Sequence, residues 1–214
     1  MQYVTEFRDR EKAQAIAEEI RREAKPDKSY RFMEFCGGHT HVLARWGLTE
    51  LLPANVKMIH GPGCPVCVLP AGRIDMAVEL SARPGVILCT YADVMRVPAG
   101  KGQTLFKAKA QGADIRMVYS PMDAVKLARE NPDKEVVFFE TTTPPTAVAI
   151  KVADKENLTN FSVICSHVLT PAAMEHILLG KVHLDGLVGP AHVSTVIGEK
   201  PYHWFAEHHH MPVV

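Results

Sequence analysis

Two segments concentrate the chemistry of this chain: Cys36-Gly37-Gly38-His39-Thr40-His41 and Gly61-Pro62-Gly63-Cys64-Pro65-Val66-Cys67. They hold three of its five cysteines and two of its eleven histidines. Thiolate sulfur and imidazole nitrogen bind soft and borderline metals, and two neighbouring thiols can exchange electrons as a disulfide. Residue types alone leave metal binding and thiol redox both open.

Cys36 directly follows the apolar run Arg31 to Phe35, which reads as a strand. If a helix starts near Thr40, the thiol lies close to its positive end, a field that favours the nucleophilic, metal-binding thiolate. The plainer alternative is a buried cysteine beside a tight turn. His39 and His41 share a face in an extended segment and diverge on a helix, so one can bind or move a proton while the other satisfies a backbone group. Cys64-Pro65-Val66-Cys67 can chelate one metal, as half of a structural zinc site, or close a small disulfide ring. No second Cys-x-x-Cys occurs, so a partner for that half-site would come from the Cys36 segment.

Other side chains of interest sit at the ends of apolar runs. Glu140-Thr141-Thr142-Thr143 offers a carboxylate and hydroxyls, as a helix cap also would. His192 and Ser194, after Gly189-Pro190, present an imidazole and a hydroxyl in the same way. Asp75 and Asp93 can bind a ligand or cap helices, and Arg96 can pair with Asp93. Cys89 and Cys165 lie within or at the end of apolar runs and are expected in the core. His208-His209-His210 is expected to be exposed and incidental.

These residues need elements to position them. An amphipathic helix is expected over residues 10–24, from apolar Ala13, Ile16, Ala17 and Ile20 at helical spacing. Strands are expected at 31–35, 56–60, 86–90, 115–119, 136–139, 161–165 and 185–188, and helices at 74–81, 104–111, 122–130 and 171–179. Such alternation predicts an α/β fold of parallel sheets flanked by helices, with ligands beyond the carboxyl ends of the strands. The polar turn Asn131-Pro132-Asp133-Lys134 predicts one complete Rossmann-like domain over 1–132, holding both cysteine segments, and a partial second α/β domain over 133–214. The apolar end Pro212-Val213-Val214 reads as an interrupted strand, and truncation is expected.

Composition narrows the classes. Lys and Arg total 24 and Asp and Glu total 24, so no basic field favours nucleic acid. The first residues lack the apolar core of a secretory signal, and no apolar run approaches the ~20 residues that span a bilayer. A soluble, cytoplasmic protein is expected, and in a reducing compartment a close cysteine pair reads as redox or metal chemistry.

Taken together, the two cysteine segments, Asp93-Val94-Met95-Arg96-Val97-Pro98 and Tyr119-Ser120-Pro121-Met122-Asp123-Ala124 resemble the HypD family of hydrogenase maturation factors. Glu140-Thr141-Thr142 and His192-Val193-Ser194 extend the resemblance over nearly the whole chain, in order. It implies a scaffold for the Fe(CN)2CO centre of [NiFe] hydrogenases, with redox capability rather than conventional turnover. It implies a small HypC-type chaperone and a HypE-type cyanide donor as partners. By motif position Cys36 is the iron-binding thiolate, Gly37, Gly38, His39 and His41 surround the iron fragment, and Cys64 with Cys67 is the redox pair. Glu140 and His192 are carried over as catalytic residues.

The chain also departs from the family pattern. The family continues into a region whose cysteines hold a [4Fe-4S] cluster; this chain ends before it, and Cys89 and Cys165 do not replace those ligands. Phe138-Phe139 runs straight into Glu140 where the family has a glycine-containing junction, which could move Glu140 from the cleft. Ala92 and Ala191 stand where the family commonly has glycine, implying less permissive loops. The competing readings are a stand-alone thiol-disulfide oxidoreductase and a structural zinc protein.

Overall fold

A computed structural model describes residues 8–63, 65–141 and 143–214, with backbone alone for 143–145. It is α/β, with every paired strand parallel and helices between the strands. The chain divides into two compact units, Met1–Gly63 with Thr170–Val214, and Cys64–Leu169. The first unit is therefore discontinuous in sequence.

In the discontinuous unit, β1 (Tyr30–Glu34) is the central strand between β2 (Val56–His60) and β7 (Gly186–Val188). Its amphipathic first helix, α1 (Arg10–Glu23), is capped by Asp9, whose side chain accepts from the Lys12 amide. After β1 come α2 (Gly37–Arg45) and the short α3 (Leu48–Leu51); α8 (Thr170–Leu178), α9 (Ala191–Ile197) and α10 (Lys200–His209) follow later. Met33, Phe35, Met174, Leu187, Tyr202 and Phe205 form its core. The terminal residues extend this sheet: Val213 bridges Leu187 in parallel, and Gly189 donates to Val214 O at 2.6 Å.

In the other unit the sheet runs β4-β3-β5-β6, from β3 (Val86–Thr90), β4 (Ile115–Met117), β5 (Glu135–Glu140) and β6 (Phe161–Cys165). Its helices are α4 (Ala71–Ser81), α5 (Leu105–Ala110), α6 (Pro121–Glu130) and α7 (Thr143–Lys155). Two apolar clusters build its core, one around Ile74, Leu88 and Phe139, the other around Ile87, Cys89 and Phe138. Consecutive β5 residues thus serve different clusters, as strand alternation demands.

The alternation of strands and helices matches the expectation, while α3, α7, α9 and α10 were not foreseen, α4 starts at Ala71 rather than residue 74, and two further element ends and the boundary differ. β4 stops at Met117 because Asp123 accepts the amides of Tyr119 and Ser120 in a capping box at the start of α6. α2 begins at Gly37, three residues earlier than expected, with Cys36 O accepting from His39 and Thr40 at 2.9 and 3.2 Å. The turn at 131–134 is no division between units. It links α6 to β5, whose residues Glu135 to Phe138 register with Val86 to Cys89 of β3, while β7 returns to β1. Sheet pairing, not the polarity of a linker, sets the grouping.

Candidate functional site

Cys36 is the N-cap of α2 and partly exposed, with extended backbone (φ −157°). Its thiol therefore sits at the N-terminal end of a nine-residue helix. Cys36 Sγ lies 3.7 Å from His192 Nδ1, across 156 residues of sequence. His192 occupies the first turn of α9, which follows β7, the strand hydrogen-bonded beside β1. Neighbouring parallel strands bring the two loop residues together at their carboxyl ends.

Glu34, at the end of β1, was not singled out by its sequence position. It is fully buried, with one oxygen accepting from the Cys36 amide at 2.8 Å and the other from the Thr40 hydroxyl and His60 Nδ1, the last at 2.8 Å. A carboxylate offers only acceptors, so His60 Nδ1 carries the proton of that bond. Burial opposes ionisation of Glu34, but the hydrogen bonds from Thr40, Cys36 and His60 outweigh it and hold the carboxyl below its ordinary range. Glu34 thereby ties the Cys36 backbone, the first turn of α2 and the end of β2 to one charge.

The expected glycine-rich surroundings resolve unevenly. His39 Nδ1 is 3.9 Å from Glu34 Oε2, while His41 is exposed, because a helix sends positions two apart in different directions. Gly37 and Gly38 form the first turn of α2, and a Cβ on Gly38 would meet Cys36 Sγ at an ordinary 3.5 Å. Gly63 is the tighter position. A Cβ there would fall 1.9 Å from the carbonyl carbon of Phe35, so only glycine lets this segment lie against the backbone preceding Cys36.

In the other unit, Cys67 is exposed in the turn before α4; Cys64 and Thr142 lie outside the described residues. Glu140 ends β5, fully buried, in register with Cys165 of β6, and its carbonyl accepts from Ser166. Cys89 is in the core as expected, and burial pushes its thiol up to about 12. Cys165 corrects the expectation: it is exposed, because β6 ends there, and its Sγ lies 3.2 Å from His167 Nδ1.

The first unit thus assembles Cys36, His192, His39 and the unforeseen Glu34, Thr40 and His60, whereas Cys67 and Glu140 belong to the second. Among the described residues no group of three or more His, Cys, Asp or Glu is arranged to hold a metal ion. With Cys89 a core thiol, the described cysteines leave only Cys36, Cys67 and Cys165 at all exposed, one short of the four thiolates of a cluster. Ala92 and Ala191 adopt none of the positive φ values found among the described residues, so neither alanine is strained. Asp93 caps the turn Val94–Arg96, Asp75 accepts from the Gly100 amide, and Arg96 lies over Phe106 rather than pairing with Asp93. The terminal histidines are not all incidental: His208 stacks on Trp204 at 4.7 Å. No described helix is long and apolar enough to cross a membrane.

Residues 11–214 match the family described as "HypD: Hydrogenase formation hypA family". The whole chain aligns at 62% identity with hydrogenase maturation factor HypD2 of Bradyrhizobium diazoefficiens, covering 59% of that protein. It aligns at 59% identity with hydrogenase maturation factor HypD of Cupriavidus necator, over 59% of its length. With hydrogenase maturation factor HypD of Escherichia coli K12 the identity is 47%, over 60% of its length. The chain spans about three-fifths of the length of these curated relatives. A match across nearly all of its residues places the chain in the HypD family.

Proposed function

We infer that this chain carries the iron-handling part of a hydrogenase maturation scaffold, with Cys36 as the thiolate that receives iron during assembly of the Fe(CN)2CO centre. The observation that carries this reading is the thiol at the α2 N-terminus, 3.7 Å from the His192 imidazole. Sulfur and nitrogen bound to one metal at roughly 2.3 and 2.1 Å lie about 3.1–3.6 Å apart, so this pair is close to the span of two ligands. Two protein donors suit a cargo that brings its own ligands. Cyanide and carbon monoxide occupy coordination positions, favour low-spin iron(II), and draw back-donation that a thiolate supports.

The exposed Cys67, with Cys64, supplies two electrons as a dithiol when ligands are attached. Glu34 holds Cys36 in place, and a HypC-type chaperone and a HypE-type cyanide donor are the partners. Anaerobic purification with the HypC-type partner, followed by iron analysis and infrared spectroscopy of cyanide and carbonyl stretches, tests the assignment. Bands present in the wild type and absent in Cys36→Ala support it; zinc alone, bound regardless of partner, would sink it.

A further inference from the structure

The pair Cys165 and His167 has no part in that assignment. Cys165 is exposed at the end of β6, its Sγ 3.2 Å from His167 Nδ1, and both residues line a cleft of about 190 Å3 together with Ser166 and Arg73. Every residue lining this cleft belongs to the second unit. With the thiol donating to Nδ1, the neutral ring carries its hydrogen on Nε2. That nitrogen and Ser166 Oγ are buried without a hydrogen-bond partner among the described residues, although burial of such atoms ordinarily demands one. Arg73 is exposed, and its guanidinium makes no ion pair or hydrogen bond with another described residue. A nucleophile and three kinds of hydrogen-bond donor thus share one small cleft whose lining includes no carboxylate among the described residues.

We propose that Cys165 is a thiolation site for a low-molecular-weight disulfide that carries a carboxylate, with His167 as the proton acceptor. Arg73 binds the carboxylate, and the Ser166 hydroxyl and His167 Nε2–H donate to the polar arm of the same reagent. Cys165 Sγ attacks one sulfur of the disulfide while His167 Nδ1 takes the thiol proton. A bond forms between Cys165 Sγ and that sulfur, the S–S bond of the reagent breaks, and the displaced half leaves as a thiolate that takes the proton from His167. Cys165 is oxidised and the departing thiol is reduced, so the disulfide itself is the oxidant. The site does not depend on iron at Cys36 or on any other cysteine of the chain.

The test uses the full 214-residue chain in its reduced form and follows the Cys165 peptide by mass spectrometry at pH 7. Glutathione disulfide, anionic through its carboxylates, is compared with the cationic disulfide cystamine, each rate divided by that of the same peptide in the urea-unfolded chain. Thiolation of Cys165 so scaled is expected to be about tenfold faster with glutathione disulfide. Acidic and basic residues number 24 each, so the net charge of the chain does not supply that preference. Arg73→Ala is expected to bring the two scaled rates together, and His167→Gln to slow both about tenfold. Equal scaled rates in the wild type, or a preference that survives Arg73→Ala, overturns the carboxylate site; rates in folded protein that ignore His167→Gln overturn the role of the imidazole. Arg73 is exposed, so its arm of the test stands even where His167→Gln fails to fold.

Discussion

Replacing Glu34 by glutamine keeps the volume of the side chain and removes its charge. The carboxylate now serves three donors, the Cys36 amide at 2.8 Å, the Thr40 hydroxyl and His60 Nδ1 at 2.8 Å. An amide oxygen can face Cys36 or the Thr40–His60 pair, not both; with the oxygen toward Thr40 and His60, the NH2 group opposes the Cys36 N–H. A bond to a charged acceptor contributes about 1.5–3 kcal/mol, and desolvation of the buried carboxylate works against it. Because the carboxyl is held ionised despite burial, the bonds win, and a net loss of about 2 kcal/mol is expected. At this chain length that lowers Tm by about 4–8 °C. Calorimetry reads the stability, and peptide-resolved iodoacetamide labelling reads the Cys36 environment, which loosens as its amide loses the acceptor. Unchanged or raised Tm together with unchanged Cys36 labelling refutes the reasoning, since desolvation would then dominate and the carboxylate would not organise the loop.

Gly63→Ala places a Cβ 1.9 Å from backbone carbon, which no rotamer can relieve, and should cost about 3 kcal/mol or more in thermal or urea unfolding. Gly72→Ala, in α4 with nothing within 4 Å of the added carbon, should instead raise stability by about 0.5–1 kcal/mol; equal effects of the two would contradict the packing. Cys89 should resist iodoacetamide in the folded protein at pH 8 and label only on unfolding, while Cys165 labels at once, because one thiol is buried and pushed up to about 12 and the other is exposed. Hydrogen bonding by the Arg116 guanidinium, aided by Lys134, holds Asp114 below its ordinary range, so its contribution is present above the unfolded value of about 3.9 and fades as pH falls through the folded value. Asp114→Asn should therefore lower the free energy of unfolding slightly at pH 7, by no more than about 1 kcal/mol for so exposed a pair, and leave it unchanged at the lowest pH where the chain stays folded, as urea unfolding at the two pH values reads.

Much of the fold was legible because each element carries its own period and punctuation. The apolar spacing of α1, the Ser120-Pro121-Met122-Asp123 cap of α6 and the short apolar runs of the sheets are local signals. The division into units was not legible, since strand partners 150 residues apart leave no local mark: β7 joins β1, and a polar turn at 131–134 looks the same inside a unit as between two. Cys165 reads as core for the same reason. Its apolar run is real, but where the strand stops decides whether the thiol faces the interior or a cleft.

The sequence alone determined the alternating α/β order, the family and the identity of the cysteine motifs, because residue type and short spacing encode these directly. Tertiary structure decided the company those residues keep. It brought His192 to Cys36, buried Glu34 as the shared anchor of Cys36, Thr40 and His60, and set His167 against an exposed Cys165. The first two arrangements depend on parallel strands laid side by side with their carboxyl-end loops at one edge, and the third on where β6 ends; such juxtaposition exists only once the chain has folded.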